Sequence, residues 1–434
     1  MTHRPVRVER DALGEREVPA EVYWGIHTLR ALENFPLTGR PVHPAWVRAL
    51  AEVKLAAARA NTELGLLDPE VGRAIAAAAA EVAAGALADQ FPVDALQGGA
   101  GTSFNMNMNE VLANRALELL GEPRGRYDRI HPIEHVNRCQ STNDTVPTAL
   151  RIAAIRLVRR LTEDLAELQT AFQAKEAAFA GIQKLGRTQL QDALPMTLGQ
   201  EFGAWAEGIA RSRRRLEDAE DRLRVVNLGG TAIGTGVGAA PGFAARALHH
   251  LREVTGLPLA RAENLVDATQ NTDVLAEVSG LLKACAAGLV KIAFDLRLLS
   301  SGPRGGLGEI RLPAVQAGSS IMPGKVNPVI PEAVTQVAYQ VMAADTAITL
   351  AAQAGQLELN PFLPLIGDSL LRSLEALSAA VRIFRVRCVE GIEADPEQCR
   401  RHLERSAAPE AALVGEIGYE AALERVRAKL SQGG

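Results

Sequence analysis

Apolar residues recur at alternating intervals of three and four positions along much of this chain. The longest such run is Leu275, Val278, Leu282, Cys285, Leu289, Ile292, Leu296 and Leu299, with lysine, aspartate and arginine among the residues between them. A second run is Val158, Leu161, Leu165, Leu168 and Phe172. This spacing aligns apolar side chains on one side of a helix, as in a coiled-coil seam. The pattern therefore predicts long helices that pack side by side.

Four long helices are predicted, over about 147–180, 197–225, 275–299 and 331–356. At roughly 25 to 35 residues each, and ~1.5 Å per residue, they would be about 40 to 50 Å long. The fourth has few charges and has small residues on nearly every face. A helix that is apolar all round needs burial on every side, and neighbouring subunits would provide it. We therefore predict a homo-oligomer with a shared bundle, the alternative being a monomeric bundle.

Composition and charge limit the fold classes and the binding partners to be expected of this chain. The 434 residues are 47% hydrophobic but only 4% aromatic, which favours an all-α fold over a sheet sandwich or barrel. The net charge of -4 is spread along the chain and gives no basic surface for nucleic acid or an anionic membrane. The four cysteines lack ligand-like spacing, and the N-terminus lacks the apolar core of a signal peptide. We therefore expect a cytoplasmic protein without a membrane span.

Four stretches rich in glycine, proline and short polar residues interrupt the predicted helices. They are LQGGAGTSFNMN at 96–107, CQSTNDTVP at 139–147, GRTQLQDALP at 186–195, and a long stretch at 300–328 that ends in GSSIMPGKVNP. Their candidate ligand-binding residues are Thr102, Ser103, Ser141, Thr142, Asn143, Thr188, Gln189, Ser319, Ser320, Lys325 and Asn327. Hydroxyls, amides and one lysine suit a small dicarboxylate, which needs many donors but few buried cations. The alternative is that each short polar residue caps the helix that follows it.

Other chemistries find little support in the sequence. His27, His131 and His135 lack the spacing of a metal site, and isolated histidines are usually structural. Cys139 has no base or cation beside it in sequence, so we interpret it as a small apolar residue rather than a nucleophile. The GGAGTS stretch lacks the lysine and the preceding strand of a phosphate-binding loop.

The four interruptions, in this order, resemble the motifs of the aspartase/fumarase superfamily. The resemblance runs from about Arg7 to about Arg401 and is carried by GGAGTSFNMNMNEVLANRALELLG, QSTNDTVPTALRIA, GRTQLQDALPMTLGQEF and GSSIMPGKVNP. Within that superfamily this sequence most resembles the aspartase branch, the aspartate ammonia-lyases. Fumarases carry a histidine where Gln189 stands, and Glu332 would be that histidine's carboxylate partner. Glutamine cannot activate water as a histidine can.

This resemblance implies a fold of three domains around a central bundle of long helices. The boundaries would be 1–143 for a mainly helical N-terminal domain, 144–394 for the bundle with the active-site loops, and 395–434 for a short C-terminal domain. The implied protein is a homotetramer whose sites are each built from three subunits. No cofactor is implied, and the sequence does not reveal whether Mg²⁺ activates the enzyme, as it does some aspartases.

The implied activity is that of a carbon–nitrogen lyase, the reversible elimination of ammonia from L-aspartate to give fumarate. The Cβ proton leaves first, through an aci-carboxylate intermediate, and Ser319 matches the base. Because a free serine hydroxyl is a very weak base, the glycine- and proline-rich loop must close, exclude water and surround Ser319 with N–H donors and the charge of Lys325, the second implied catalytic residue. By position, Lys325 and Asn327 would bind the α-carboxylate. Thr102, Ser141, Thr142 and Ser320 would bind the β-carboxylate, and Asn143, Thr188 and Gln189 the amino group.

The chain departs from the family pattern in two places. After GQLELN the family continues with a Val-Met-Glu-Pro-like or Val-Phe-Lys-Pro-like phrase, whereas this chain has Pro361, Phe362, Leu363 and Pro364, which removes a charged side chain. The C-terminal part also lacks the family's closing helical segment. The alternatives are the same chemistry with another leaving group (hydroxide, as in fumarase, a substituted amine or nitrite) or a non-catalytic relative.

Overall fold

Helices dominate the computed structural model, which describes residues 5–431. They are α1 (Ile26–Asn34), α2 (Pro44–Glu63), α3 (Pro69–Ala83), α4 (Thr102–Leu119), α5 (Thr142–Ala178), α6 (Leu198–Leu223), α7 (Phe243–Thr255), α8 (Leu265–Gln270), α9 (Asp273–Leu299), α10 (Val329–Gln353), α11 (Leu363–Arg387), α12 (Pro396–Arg405), α13 (Ala408–Ala411), α14 (Val414–Ile417) and α15 (Tyr419–Ser431). The all-α prediction is confirmed.

Short strands occur only in pairs within the described residues. Antiparallel pairs join β1 (Val6–Asp11) to β2 (Gly14–Pro19), β3 (Gln183–Thr188) to β4 (Gln191–Thr197), and β7 (Ile310–Arg311) to β8 (Glu393–Ala394). The pair of β5 (Val225–Val226) and β6 (Ala260–Arg261) is parallel. None of the helices between residues 5 and 431 has the length and apolar content that a bilayer span requires.

The four long helices appear where the apolar spacing predicts them, as α5, α6, α9 and α10. The largest difference is at α5, which begins five residues earlier than predicted and contains Pro147. Proline has no N–H to donate to the carbonyl four residues earlier, that of Asn143. Asn227 Nδ2 donates to that carbonyl oxygen instead, at 2.9 Å, so the helix tolerates the proline.

The contacts divide the described chain into two compact units. The first contains residues 5–159, 217–280 and 343–374, and the second contains 160–216, 281–342 and 375–431. The three domains implied by the resemblance, with boundaries after residues 143 and 394, stay a prediction.

Each unit has its own apolar core. In the first, the rings of Trp46 and Phe104 pack edge to face with centroids 5.4 Å apart, and Trp46 Nε1 donates to the carbonyl of Val146 at 3.1 Å. In the second, Phe172 of α5 contacts Phe202 and Trp205 of α6, at centroid distances of 6.2 and 6.0 Å. Phe172 is fully buried, as the predicted seam requires.

Candidate active site

The Gly-rich turn at 98–101 brings the start of α4 against the start of α5. Thr102 is the first residue of α4, and its Oγ1 donates to the carbonyl of Gly99 at 2.7 Å. Gly101 has φ +92°, and a Cβ there would lie 3.0 Å from Val146 Cγ1. Glycine is therefore needed at 101 both for its backbone conformation and for the close approach to α5.

The predicted residues Ser141, Thr142 and Asn143 form the half-buried start of α5. Ser141 Oγ accepts a hydrogen bond from the Asn143 N–H at 3.1 Å, so Ser141 acts as a helix cap, as the alternative interpretation expects. Asn143 Nδ2 donates to the carbonyl of Ala232 at 2.8 Å. Thr142 Oγ1 accepts from Asn105 Nδ2 at 3.1 Å, which ties this turn to α4.

Asp144 fixes the conformation of this turn. It is fully buried, and its Oδ1 accepts from the Ser141 N–H at 3.0 Å. Its Oδ2 accepts from the N–H groups of Gly229 and Thr231, at 3.2 and 3.0 Å. Burial raises the pKa of Asp144 to about 6, although these N–H donors and Lys54 favour the charged carboxylate.

Substituting Asp144 by alanine is expected to disorder the turn that carries Ser141 and Asn143. Three buried N–H groups would lose their acceptor, which costs about 3 kcal/mol or more, and kcat/KM should fall about 10²-fold. Urea unfolding and steady-state kinetics measure the two effects. Asp68→Ala is the matched control, because Asp68 also accepts two backbone N–H groups but does so at the exposed start of α3. Activity equal to that of the control would contradict this role for Asp144.

A buried lysine lies beneath the same turn. Lys54 is fully buried in α2, and its Nζ donates to Asn137 Oδ1 at 2.9 Å. Asn105 Nδ2 and Asn109 Nδ2 also donate to that oxygen, at 3.1 and 3.2 Å. The chain of polar contacts runs from Lys54 through Asn137 and Asn105 to Thr142. Burial lowers the pKa of Lys54 to about 7, with the nearby charge of Asp144 opposing the shift.

The lowered pKa of Lys54 predicts a pH-dependent stability. Between its folded pKa of about 7 and the ordinary value of 10.5, the unfolded chain binds more protons, so the free energy of unfolding rises with pH. Lys54→Met lacks this gain, and without the lysine charge Asp144 titrates higher, which acts in the same direction. The Tm advantage of wild type over Lys54→Met should therefore grow from pH 7 to about pH 9.5. A constant difference over that range would show that Lys54 is not buried as described.

Thr188 and Gln189 lie at the tip of the β3–β4 hairpin, where both side chains are exposed. Gln189 and Leu190 form its two-residue turn with φ of +53° and +61°. Such turns normally use glycine, asparagine or aspartate, so this tip holds a costly conformation. Strained backbone of this kind concentrates at functional sites, and the role of this turn stays a prediction.

A buried carboxylate supports that hairpin. Glu309 is fully buried, and its Oε1 accepts from Arg187 Nη2 at 2.7 Å and lies 2.8 Å from His402 Nδ1. Lys184 Nζ lies 3.0 Å from Glu309 Oε2 and 2.7 Å from Glu201 Oε2. Burial raises the pKa of Glu309, but the hydrogen bond from Arg187 and the charge of Lys184 outweigh it, and the net pKa is lowered.

Residues 318–328 form an exposed loop before α10. The Gly318 N–H donates to the carbonyl of Lys325 at 2.8 Å, and Asn327 Nδ2 donates to the carbonyl of Gly318 at 2.6 Å. A Cβ at Gly318 would lie 2.5 Å from the Lys325 oxygen, so only glycine fits there. Ser319 Oγ accepts from the N–H groups of Ile321 and Met322, at 3.1 and 2.9 Å. The loop thus presents a serine oxygen that already has two N–H donors.

The remaining predicted residues differ in their surroundings. Ser320 and Lys325 are exposed, and no hydrogen bond or ion pair involves either side chain within residues 5–431. Asn327 is bound within the loop rather than free for a ligand. Glu332 lies 3.5 Å from Arg297 Nη2, an ion-pair partner that the sequence does not reveal.

The predicted residues are divided between the two compact units. Thr102 and Ser141–Asn143 belong to the first unit, and the 188–189 turn, the 318–328 loop and Glu332 belong to the second. Sequence reasoning missed the supporting residues Lys54, Asn105, Asn137, Arg187 and Glu309. The available signal was a lone charge or amide in an apolar context, such as Lys54 in AEVKLAAA. Among the described residues, no group of three or more His, Cys, Asp or Glu side chains is arranged to hold a metal ion.

Comparisons with known proteins cover nearly the whole chain. A family model described as lyase matches residues 14–343. An aspartate ammonia-lyase from a Bacillus species is 50% identical over 422 residues, which are 97% of this chain and 90% of the relative. A fumarate lyase:delta crystallin from Brucella melitensis, crystallised with bound cobalt, has a TM-score of 0.96 at 52% identity, over 99% of this chain and 94% of that one. A class II fumarase from Schistosoma mansoni has a TM-score of 0.95 at 35% identity, over 98% and 92% of the two chains.

Proposed function

This chain belongs to the lyase family, the aspartase/fumarase superfamily, and we propose that it eliminates ammonia from L-aspartate to give fumarate. The predicted resemblance to the aspartase branch is confirmed, because aspartate ammonia-lyases are about half identical to this chain over nearly its full length. The function is that of a carbon–nitrogen lyase, and the alternative leaving groups are not favoured.

The observation that carries the mechanism is the environment of Ser319. Its Oγ accepts hydrogen bonds from two backbone N–H groups, those of Ile321 and Met322. Hydrogen bonds to the charged form of a group favour that form, so these donors stabilise a serine alkoxide. Closure of the loop over the substrate would remove water and strengthen both bonds. Ser319 is therefore the proposed base.

The reaction proceeds in two steps. Ser319 takes the proton from Cβ, and the electron pair of that C–H bond moves into the β-carboxylate, which becomes an aci-carboxylate with two negative charges. The C–N bond then breaks, the alkene forms, and the nitrogen leaves with its electron pair as ammonia. Lys325 and Asn327 bind the α-carboxylate, and Asn143, Thr188 and Gln189 bind the amino group. Asn327 must give up its bond to the Gly318 carbonyl to do so.

Neutral donors bind the β-carboxylate, where charge accumulates. Thr102, Ser141, Thr142 and Ser320 are the proposed set, with Glu332 supporting the site from α10. Each preorganised donor to a developing oxyanion is typically worth about 2.7 to 4 kcal/mol of the barrier. The Ser141 Oγ accepts a hydrogen bond from the Asn143 N–H, so its hydroxyl hydrogen can donate to the substrate.

We also infer a homotetramer in which three subunits build each site. In support, α10 exposes large apolar side chains in the single chain: Tyr339 is 51% exposed and Leu350 is 57% exposed. Apolar side chains in these positions on a long helix are typical of a subunit interface. Light scattering on the purified protein measures the assembly, and an active monomer would exclude shared sites.

The four cysteines are free, which supports a reducing compartment, the cytoplasm.

The function itself is tested by a substrate panel. L-Aspartate should give fumarate, measured at 240 nm, whereas L-malate should not, because Gln189 cannot activate water as the fumarase histidine does. The reverse reaction should consume fumarate with ammonia and yield L-aspartate. Conversion of L-malate at a rate similar to that of L-aspartate would contradict the assignment.

A further inference from the structure

The C-terminal helix α12 packs against strand β3, on the hairpin whose tip is the 188–189 turn. The N–H of Asp395, the residue before α12, donates to the carbonyl oxygen of Glu309 at 2.8 Å. His402 of α12 lies 2.8 Å from the carboxylate oxygen Oε1 of the same glutamate. The helix therefore contacts Glu309 through both its backbone and its side chain. Neither contact has a task in the proposed elimination.

The partners of His402 determine which of its ring nitrogens carries the proton. Nδ1 faces Glu309 Oε1, and a carboxylate oxygen can only accept, so Nδ1 donates. Gln398 Nε2 lies 2.8 Å from His402 Nε2 and also donates to the carbonyl of Leu307 at 3.1 Å. Because an amide nitrogen is a donor, the His402 Nε2 accepts. Gln398 thus fixes the ring from one side, and the ring donates to Glu309 from the other.

The charges in contact around Glu309 balance without a charge on the imidazole. Arg187 and Lys184 are the cations, and Glu309 and Glu201 are the carboxylates. A neutral imidazole supplies one more donor to this buried group without adding a third cation. Glu309 Oε1 therefore receives two donors, Arg187 Nη2 at 2.7 Å and His402 Nδ1 at 2.8 Å. Two donors on one oxygen orient the carboxylate more firmly than one.

Arg187 links this carboxylate to the tip of the hairpin. It directly precedes Thr188, and its side chain is only 15% exposed where it binds Glu309. The turn that follows, at Gln189 and Leu190, has positive φ at both residues. Such a conformation persists only where the surrounding structure holds it. A weaker hold on Glu309 would therefore let the tip relax away from its strained conformation.

We propose that His402 is a positioning residue for the amine, because it orients Glu309, which holds Arg187 and thereby the tip of the hairpin. The inference rests on the proposed function, in which Thr188 and Gln189 bind the amino group. Its consequence is selective. Fumarate has no amino group and does not use the tip, whereas ammonia binds there. The affinity for ammonia depends on His402, and the affinity for fumarate does not.

The first test follows the addition of ammonia to fumarate, with each substrate varied in turn. His402→Leu removes the donor to Glu309, so KM for ammonia should rise about fivefold or more while KM for fumarate stays within about twofold. His402→Asn restores a donor near the place of Nδ1 and should return KM for ammonia to within about twofold of wild type. Gln398→Leu, which frees the ring, should show the same split at smaller size and replaces His402→Leu if that variant does not fold.

His250→Leu is the matched control. The side chain of His250 is 18% exposed, against 21% for His402, and its partners are also carboxylates, those of Glu63 and Glu253. Both KM values should be those of wild type. An unchanged KM for ammonia in His402→Leu, or a parallel rise for both substrates, would overturn the inference and leave the proposed function standing. A wild-type enzyme that does not add ammonia to fumarate would overturn both.

A double-mutant cycle tests whether His402 acts through the tip. Thr188→Val removes the hydroxyl proposed to bind the amino group and keeps the shape of the side chain. In that background His402→Leu should raise KM for ammonia no more than about twofold, because the contact that it positions is already lost. The same rise in both backgrounds would mean that His402 acts independently of the tip, and the inference would be wrong.

Discussion

Replacing Ser319 by alanine is expected to lower kcat for elimination from L-aspartate by about 10³-fold or more, because alanine cannot accept the Cβ proton. The two hydrogen bonds to Ser319 Oγ come from Ile321 and Met322 in the same loop, so their loss is local. The assembly and the Tm should therefore stay close to those of wild type. Steady-state assays that follow the absorbance of fumarate at 240 nm measure the rate, and light scattering measures the assembly.

Ser320→Ala is the matched control for this variant. Ser320 is the adjacent hydroxyl in the same exposed loop, and its proposed task is one hydrogen bond to the β-carboxylate. Its loss should cost about 10²-fold in rate, which is less than the loss of the base. Equal rates for the two variants, or a Ser319→Ala rate within tenfold of wild type, would remove Ser319 as the base.

Replacing Lys325 by methionine is expected to lower kcat/KM for L-aspartate by about 10²-fold, with an increase in KM. The lysine is the one cation in the proposed site set, and a charged hydrogen bond to a carboxylate contributes about 1.5 to 3 kcal/mol. Methionine keeps the length and the apolar stem of the side chain while removing the charge. Initial rates over a range of aspartate concentrations separate the effect on KM from that on kcat.

Lys291→Met provides the control for Lys325→Met. Lys291 is also exposed, but it pairs with Asp295 on α9 and has no proposed contact with substrate. Its variant should have wild-type kinetics. Unchanged KM and kcat in Lys325→Met would mean that another group binds the α-carboxylate, and the loop would then have to bind substrate differently from the way we propose.

The long helices could be predicted from sequence because their buried positions recur every three or four residues, a pattern that involves only neighbours along the chain. The positions Leu165, Leu168 and Phe172 are fully buried, as their spacing requires. The start of α5 is predicted less well, because a proline such as Pro147 normally lies in the first turn of a helix and not in its interior. The compensating donor, Asn227, lies 84 residues from Asn143 in sequence, and no local pattern pairs the two.

The support of the candidate site could not be predicted for the same reason. Lys54 binds Asn137 across 83 positions, and Arg187 binds Glu309 across 122 positions. No local pattern links such residues, and only their lone charges in apolar stretches marked them. The positive φ values at Gln189 and Leu190 could not be predicted either, since RTQLQD lacks the glycine or asparagine that is typical of such a turn. The candidate hydroxyls are proposed from the motifs, and both their place in the site and their roles stay predictions.

The central claim is that Ser319 of one subunit acts on a substrate held by the Ser141–Thr142 turn of another. Co-expression of Ser319→Ala with a Ser141→Ala, Thr142→Val double variant, each inactive alone, tests it directly. Shared sites predict that hybrid tetramers recover about a quarter of wild-type activity, because each of the two required subunits has an even chance of being intact. Hybrids that form but stay as inactive as their parents would contradict the account.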